Sequence, residues 1–111
     1  MTFANLISPS EGEELNYIHV LFEWEQEADA ISYNLQISDS DSFDDLIIDI
    51  NIPDLIYIDR DNLEWENNYC FRIRSIFNDE TFSQWIHSSC FSIANPKFNT
   101  LGSFEVELYS E

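Results

Sequence analysis

Apolar residues in this chain recur at every second position, and no segment sustains a repeat of three or four. In YCFRIRSIF (69–77), Tyr69, Phe71, Ile73 and Ser75 fall on one side and Cys70, Arg72 and Arg74 on the other. In IHVLFEWE, Val20, Phe22 and Trp24 alternate with His19, Leu21 and Glu23, and in ISYNLQIS, Tyr33, Leu35 and Ile37 alternate with Ser32, Asn34 and Gln36. A period of two is the pleat of a β-strand with one buried face, whereas a helix would show a period near 3.6. LIIDINI (46–52) and LIYID (55–59) are isoleucine-rich runs bounded by Asp, Asn and Pro53, which places them near a sheet edge. A turn at NDET then leads into FSQWIHSSCFSIA, where Phe91 and Ile93 face inward and Cys90 and Ser92 outward. About seven short strands with polar turns between them predict an all-β fold, an antiparallel two-sheet sandwich.

The remaining residues set the domain limits. A length of 111 fits one domain, and nine Phe, five Tyr and three Trp are enough to build a core despite the charge. Asn95 and Pro96 close the regular pattern after residue 94, so the domain is expected over 4–94 and an extension over 95–111. In the extension Phe104, Val106 and Leu108 alternate with Glu105 and Glu107, as in an added edge strand or the start of a neighbouring module.

Twenty-two acidic residues against four basic ones give a net charge of −18. Such a surface repels phosphate backbones and anionic headgroups, which excludes nucleic acid and favours basic surfaces. No apolar run is long enough for a spanning helix, so membrane insertion is not expected. The N-terminus MTFANLISPSEGEEL also lacks a basic segment followed by an apolar one. Met1 directly before the first strand fits either an intact cytoplasmic protein or a domain cut from a longer exported chain.

Taken in order, several stretches resemble the fibronectin type III family. LISP (6–9) is similar to its first strand with the following Pro, and VLFEW, ending at Trp24, to its second strand with the core Trp. AISYNLQIS with Phe43 beyond it resembles the third strand and its outgoing loop as found in bacterial exported modules. Leu63 stands six residues before Tyr69, as in the family's tyrosine corner, and SQW (83–85) with Phe91 resembles the start and middle of the last strand. The resemblance implies a non-catalytic spacer or protein-interaction module of an exported or cell-surface multidomain protein. It does not carry over every family activity. There is no Arg-Gly-Asp loop, and FSQWI (82–86) lacks the first Trp and last Ser of the Trp-Ser-x-Trp-Ser box of cytokine receptors.

The candidate sites are few. Arg72 and Arg74 on the outward parity of their strand can serve as partners for nearby acids, with Trp85 as an adjoining aromatic, or as a basic ligand-binding spot. Cys70 and Cys90 are spaced symmetrically about Glu80. A simple hairpin sets them opposite each other, close enough for a disulfide, and a bulge would instead leave two thiols. Asp39, Asp41, Asp44 and Asp45 fill one loop with oxygens that suit Ca²⁺, without the Gly and Glu of an EF-hand loop.

Zinc is not expected, since His19 and His87 lie on separate segments with no third Cys. With Gly12 and Gly102 the only glycines there is no phosphate-binding loop, and no Ser occupies a G-x-S-x-G turn. No catalytic residue and no cofactor are therefore assigned, and the expected partner is a protein or a polysaccharide. The polysaccharide alternative is a carbohydrate-binding module attached to a secreted enzyme, stacking sugar rings on Trp65, Trp85 and Tyr17.

Overall fold

The computed structural model describes residues 5–86 and 88–94. The expected tail strand at 104–108 and His87 lie outside the described residues. In chain order the strands are β1 (Leu6–Ser8), β2 (Glu13–Leu15), β3 (Val20–Trp24), β4 (Ala30–Ser38), β5 (Leu46–Ile52), β6 (Ile56–Asp59), β7 (Asn68–Phe77) and β8 (Ser89–Ile93). They form two sheets, one ordered β1-β3-β6 and the other β2-β8-β7-β4-β5. The protein is an all-β sandwich.

The inward parities read from the sequence meet in one core. Val20, Phe22 and Trp24 from the small sheet pack against Tyr33, Leu35, Ile37, Tyr69, Phe71, Ile73, Phe91 and Ile93 from the large one, with Leu63 added from the β6–β7 connection. Phe22 sits at the centre, with edge-on contacts to Phe71 at 5.0 Å and Phe91 at 5.8 Å between ring centroids. Trp24 meets Tyr33 edge-on at 6.0 Å. Such tilted aromatic pairs add to the area they bury because ring edges are positive and ring faces negative. The indole Nε1 of Trp24 is buried with no hydrogen-bond partner among the described residues, so this ring contributes through packing.

Two features differ from the expectation. The first is an eighth strand, β2, which runs parallel to β8 with Glu13 opposite Phe91 and Leu15 opposite Ile93. It has a single buried apolar residue, Leu15, so it shows no periodicity; backbone bonds from Gly12 N to Cys90 O and from Ala94 N to Leu15 O hold it in place. Gly12 opens this strand at φ +77°, in the region where a residue without Cβ is least strained.

The second difference concerns FSQWI (82–86), which is not part of the last strand, since β8 begins at Ser89. Phe82 makes one isolated bridge to Ile76, and the amides of Ser83 and Ile86 bond the carbonyls of Ser75 and Ile73. That irregular run follows β7 in a different register from β8, where Cys70 faces Cys90. Its geometry is fixed by a side chain that competes with the backbone ladder, since Ser83 Oγ accepts the Ser75 amide at 2.8 Å.

Tyr69 forms the corner that the sequence implied: its hydroxyl accepts the amide of Glu64 at 2.9 Å. Burial raises its pKa above the ordinary value, partly offset by that backbone hydrogen bond. Tyr57 is raised as well, by desolvation first and then by the carboxylate of Asp59, to which it donates at 3.3 Å.

A raised tyrosine pKa means that the folded chain keeps protons which the unfolded chain releases. Stability is therefore expected to hold up to about pH 10 and to fall as pH rises through the folded values. Urea titrations across that range test this, and Tyr57→Phe should make the alkaline decline shallower. A decline that begins well below that pH would point to other groups.

Candidate functional site

The outward face of the large sheet is covered by side chains from three parts of the chain. Across the strands Arg72 lies opposite Gln36, and Arg74 opposite Asn34. Arg72 donates from Nε and Nη2 to Gln36 Oε1 at 3.0 and 2.8 Å, and Arg74 donates from Nε to Asn34 Oδ1 at 3.0 Å. Asn34 passes the interaction on, donating from Nδ2 to Asp49 Oδ1 at 2.9 Å and to Ile50 O at 3.2 Å. A polar chain thus crosses three strands, from Arg74 on β7 to a carboxylate on β5.

Aromatic rings lie against the same guanidinium groups. The Arg72 guanidinium carbon is 4.0 Å from the Trp85 ring centroid and 4.3 Å from that of Phe43, and Arg74 is 4.3 Å from Trp85 and 3.9 Å from Phe82. Under this layer Asn34, Gln36 and Ser38 are buried although they point away from the core. Acid partners expected for Arg72 and Arg74 are not what the structure shows. Among the described residues neither forms an ion pair; side-chain amides and rings take that place, because the outward positions of β4 facing them are Asn34 and Gln36. Burial and the neighbouring Arg74 lower the Arg72 pKa from its ordinary value, and Asp49 opposes them.

Phe43 and Phe82 complete the stack, a role the sequence did not assign to either of them. Phe43 lies in the β4–β5 loop with φ +57°, a left-handed conformation that costs a bulky residue about 1–2 kcal/mol. Its ring is nonetheless buried against Arg72, so the contact stabilises the loop conformation. Arg72→Ala is expected to lower stability by roughly 1–3 kcal/mol through lost ring contacts and charged hydrogen bonds. Arg72→Lys should recover little, since an ammonium cannot reproduce the planar fork on Gln36. Thermal unfolding of both variants checks this; full recovery by Lys would reduce the stack to charge alone.

The other candidate residues lie apart from this layer or serve structure. Trp65 is partly buried and packs against the core from the β6–β7 connection, and Tyr17 is exposed in the loop before β3. Cys70 and Cys90 face each other across β7 and β8 and are disulfide-bonded, with their Cα atoms 4.0 Å apart.

The acidic loop is organised by its serines: Ser38 Oγ donates to Asp45 O at 2.8 Å and Ser42 Oγ to Asp44 Oδ2 at 3.1 Å. Among the described residues no three His, Cys, Asp or Glu side chains are grouped to hold a metal ion, so Asp39, Asp41, Asp44 and Asp45 do not converge. Calcium, magnesium and sodium chlorides at matched ionic strength are accordingly expected to raise the thermal midpoint equally, by screening the carboxylate excess. A further rise with calcium alone would reveal a cation site that this loop geometry does not provide.

No family model matches the chain, and no curated protein sequence matches it. Solved structures do. A Fn3-like protein from Clostridium thermocellum is similar at a TM-score of 0.60 and 16% identity, over 76% of this chain and 88% of that one. The fold is fibronectin type III-like.

The fibronectin(III)-like modules of Clostridium thermocellum CbhA are similar at a TM-score of 0.55 and 10% identity, over 84% of this chain and 100% of theirs. Streptomyces avermitilis alpha-L-rhamnosidase, in its complex with L-rhamnose, contains a similar region at a TM-score of 0.65 and 15% identity. That match spans 86% of this chain and 10% of the rhamnosidase, so there the similar region is a small part of a long polypeptide.

Proposed function

We propose that this protein is a non-catalytic spacer or protein-interaction module of an exported or cell-surface multidomain bacterial protein. The observation that carries this reading is the recurrence of the same sandwich as a module, in CbhA by its description and within the rhamnosidase as a tenth of the chain. The disulfide between Cys70 and Cys90 supports the compartment, because such bonds persist in oxidising surroundings and are rare in the cytosol. The use of inward side chains for one core and of outward arginines for a self-satisfied layer supports a scaffold rather than a reacting site.

The test is made in the native host. Alkylation before lysis, followed by reduction and a second label, reads whether the cysteines are bonded, and protease applied to intact cells reads exposure. Bonded cysteines and cleavage at the surface are expected. Removing the module from its parent chain should change assembly or reach and leave the parent's chemistry intact. A cytosolic, fully reduced protein would overturn the compartment, and turnover of a substrate by the isolated chain would overturn the non-catalytic role.

The carbohydrate-binding alternative draws on exposed Tyr17 and half-exposed Trp85. It has less support, because Trp65 packs on the core and Trp85 is engaged by two guanidinium groups, which leaves no row of free aromatic faces among these three residues. Sedimentation with insoluble polysaccharides, compared for the wild-type chain and Tyr17→Ala, decides between the two.

A further inference from the structure

Both sheets end in edge strands, and these differ in length. β1 and β2 have three residues each and β6 has four, whereas β5 has seven and, among the described residues, is paired only with β4. Long edges invite pairing with other chains, and proteins usually defend them with lysine, proline, a bulge or short length. LIIDINI carries no lysine or proline, and the single irregularity in its pairing lies at its start, opposite Ser38. Its one charged residue is Asp49.

We infer that the outer edge of β5 is a docking site for an extended segment of a partner protein in which apolar residues alternate with basic ones. This rests on the interaction-module reading above and names the surface that would serve it. Three observations define the partner. The edge has acids at its middle and beyond both ends, with Asp44 and Asp45 before the strand, Asp49 within it and Asp54 after it. Asp49 is also held in position, since Asn34 Nδ2 donates to its Oδ1 at 2.9 Å while Arg74 fixes Asn34 from the other side. A carboxylate held in this way presents a set point of negative charge to a lysine or arginine on an added strand.

The third observation lies at the end of the edge. A cleft of about 560 Å³ opens where β5 gives way to β6, lined by Ala30, Tyr33, Pro53, Asp54, Leu55 and Ile56. It has room for a large apolar side chain at the terminus of the docked segment. A second copy of this chain is a poorer occupant. An isologous pairing of β5 with itself would bring the same carboxylates together, in a molecule whose net charge is already −18.

The test uses isotope-labelled protein and a synthetic peptide of roughly ten residues, long enough to span the strand, that alternates valine with lysine and ends in phenylalanine. Two control peptides carry glutamate in place of lysine or proline at every second position. Saturable binding is expected, with new amide protection confined to 46–52, and each control at least about tenfold weaker. Asp49→Lys should weaken the lysine peptide at least about tenfold and Asp49→Asn by less. Asp54→Lys, whose side chain makes no hydrogen bond among the described residues, should weaken it as well, which covers the case in which a change at Asp49 disturbs the sheet.

Several results would overturn the inference: no saturable binding up to about 1 mM, equal binding of the glutamate peptide, protection on another strand, or unchanged affinity in both lysine variants. Dimers in sedimentation that Asp49→Lys abolishes would assign the edge to self-association instead. A failure here leaves the spacer role and the exported compartment standing, since those are read by labelling and protease exposure in the host.

Discussion

Trp24→Ala is expected to lower the unfolding free energy by about 3–5 kcal/mol, which is most of the stability of an ordinary domain of this size. Trp24 is 1% exposed and closes the core between β3 and β4, where its ring meets Tyr33. Its removal leaves a cavity that a two-sheet frame cannot collapse to fill, because the sheets are held apart by the other large residues, Phe22 and Phe71 among them. Trp24→Phe should cost clearly less, since the lost indole N–H has no hydrogen-bond partner to strand among the described residues. Urea titration of both variants measures the difference. A loss for the alanine variant smaller than about 1 kcal/mol would mean that the ring is not where the core closes.

Removal of the disulfide should have the second largest effect. Cys70 and Cys90 are twenty positions apart, and a loop of that length corresponds to about 3 kcal/mol in the chain-entropy account. Cys70→Ala combined with Cys90→Ala, and the wild-type chain in reductant, should lose similar amounts. The double variant leaves the strand pairing in place, so the loss arises mainly in the unfolded chain. Equal midpoints for oxidised and reduced protein would show that the unfolded chain keeps the two segments together without the bond.

How far the sequence could be read depended on whether local pattern or distant partners fixed each feature. β3, β4 and β7 have one fully buried face, so their alternation and their shared core were legible residue by residue. The tyrosine corner was legible through the family resemblance, from Leu63 six residues before Tyr69, and its hydrogen bond reaches back five residues to Glu64. β2 was not, because a strand of three residues with one apolar side chain has no period, and its partner β8 is distant in sequence. FSQWI (82–86) was read as part of the last strand but is drawn out of register by the hydroxyl of Ser83 and by Trp85 lying over the arginines.

The arginine layer shows the same division. That Arg72 and Arg74 point outward followed from parity alone. Trp85 was legible as their aromatic neighbour, but the other partners were not, since Gln36 and Asn34 are recruited through the β4–β7 register and Phe43 through its own left-handed conformation in a loop, which no spacing rule anticipates. With twenty-two acids in the chain, an ion pair was the natural expectation. The positions that meet the guanidinium groups are nevertheless amides.

The position of the covalent link also divides the sandwich dynamically. The bond ties β7 to β8, and the β2 segment is hydrogen-bonded to Cys90 of β8 and to Ala94 just after it, so one flank of the large sheet is expected to open only as a unit. On the other flank β5 is held, among the described residues, by β4 alone, and the chain leaves it through Pro53 and Asp54 to form β6, itself a sheet edge. Local opening is therefore expected to be one-sided: the β5–β6 flank should open at lowest cost, and β7 and β8 should exchange their amides last. The surface that lends itself to recruiting another strand is thus also the part of the molecule that can yield without unfolding the rest.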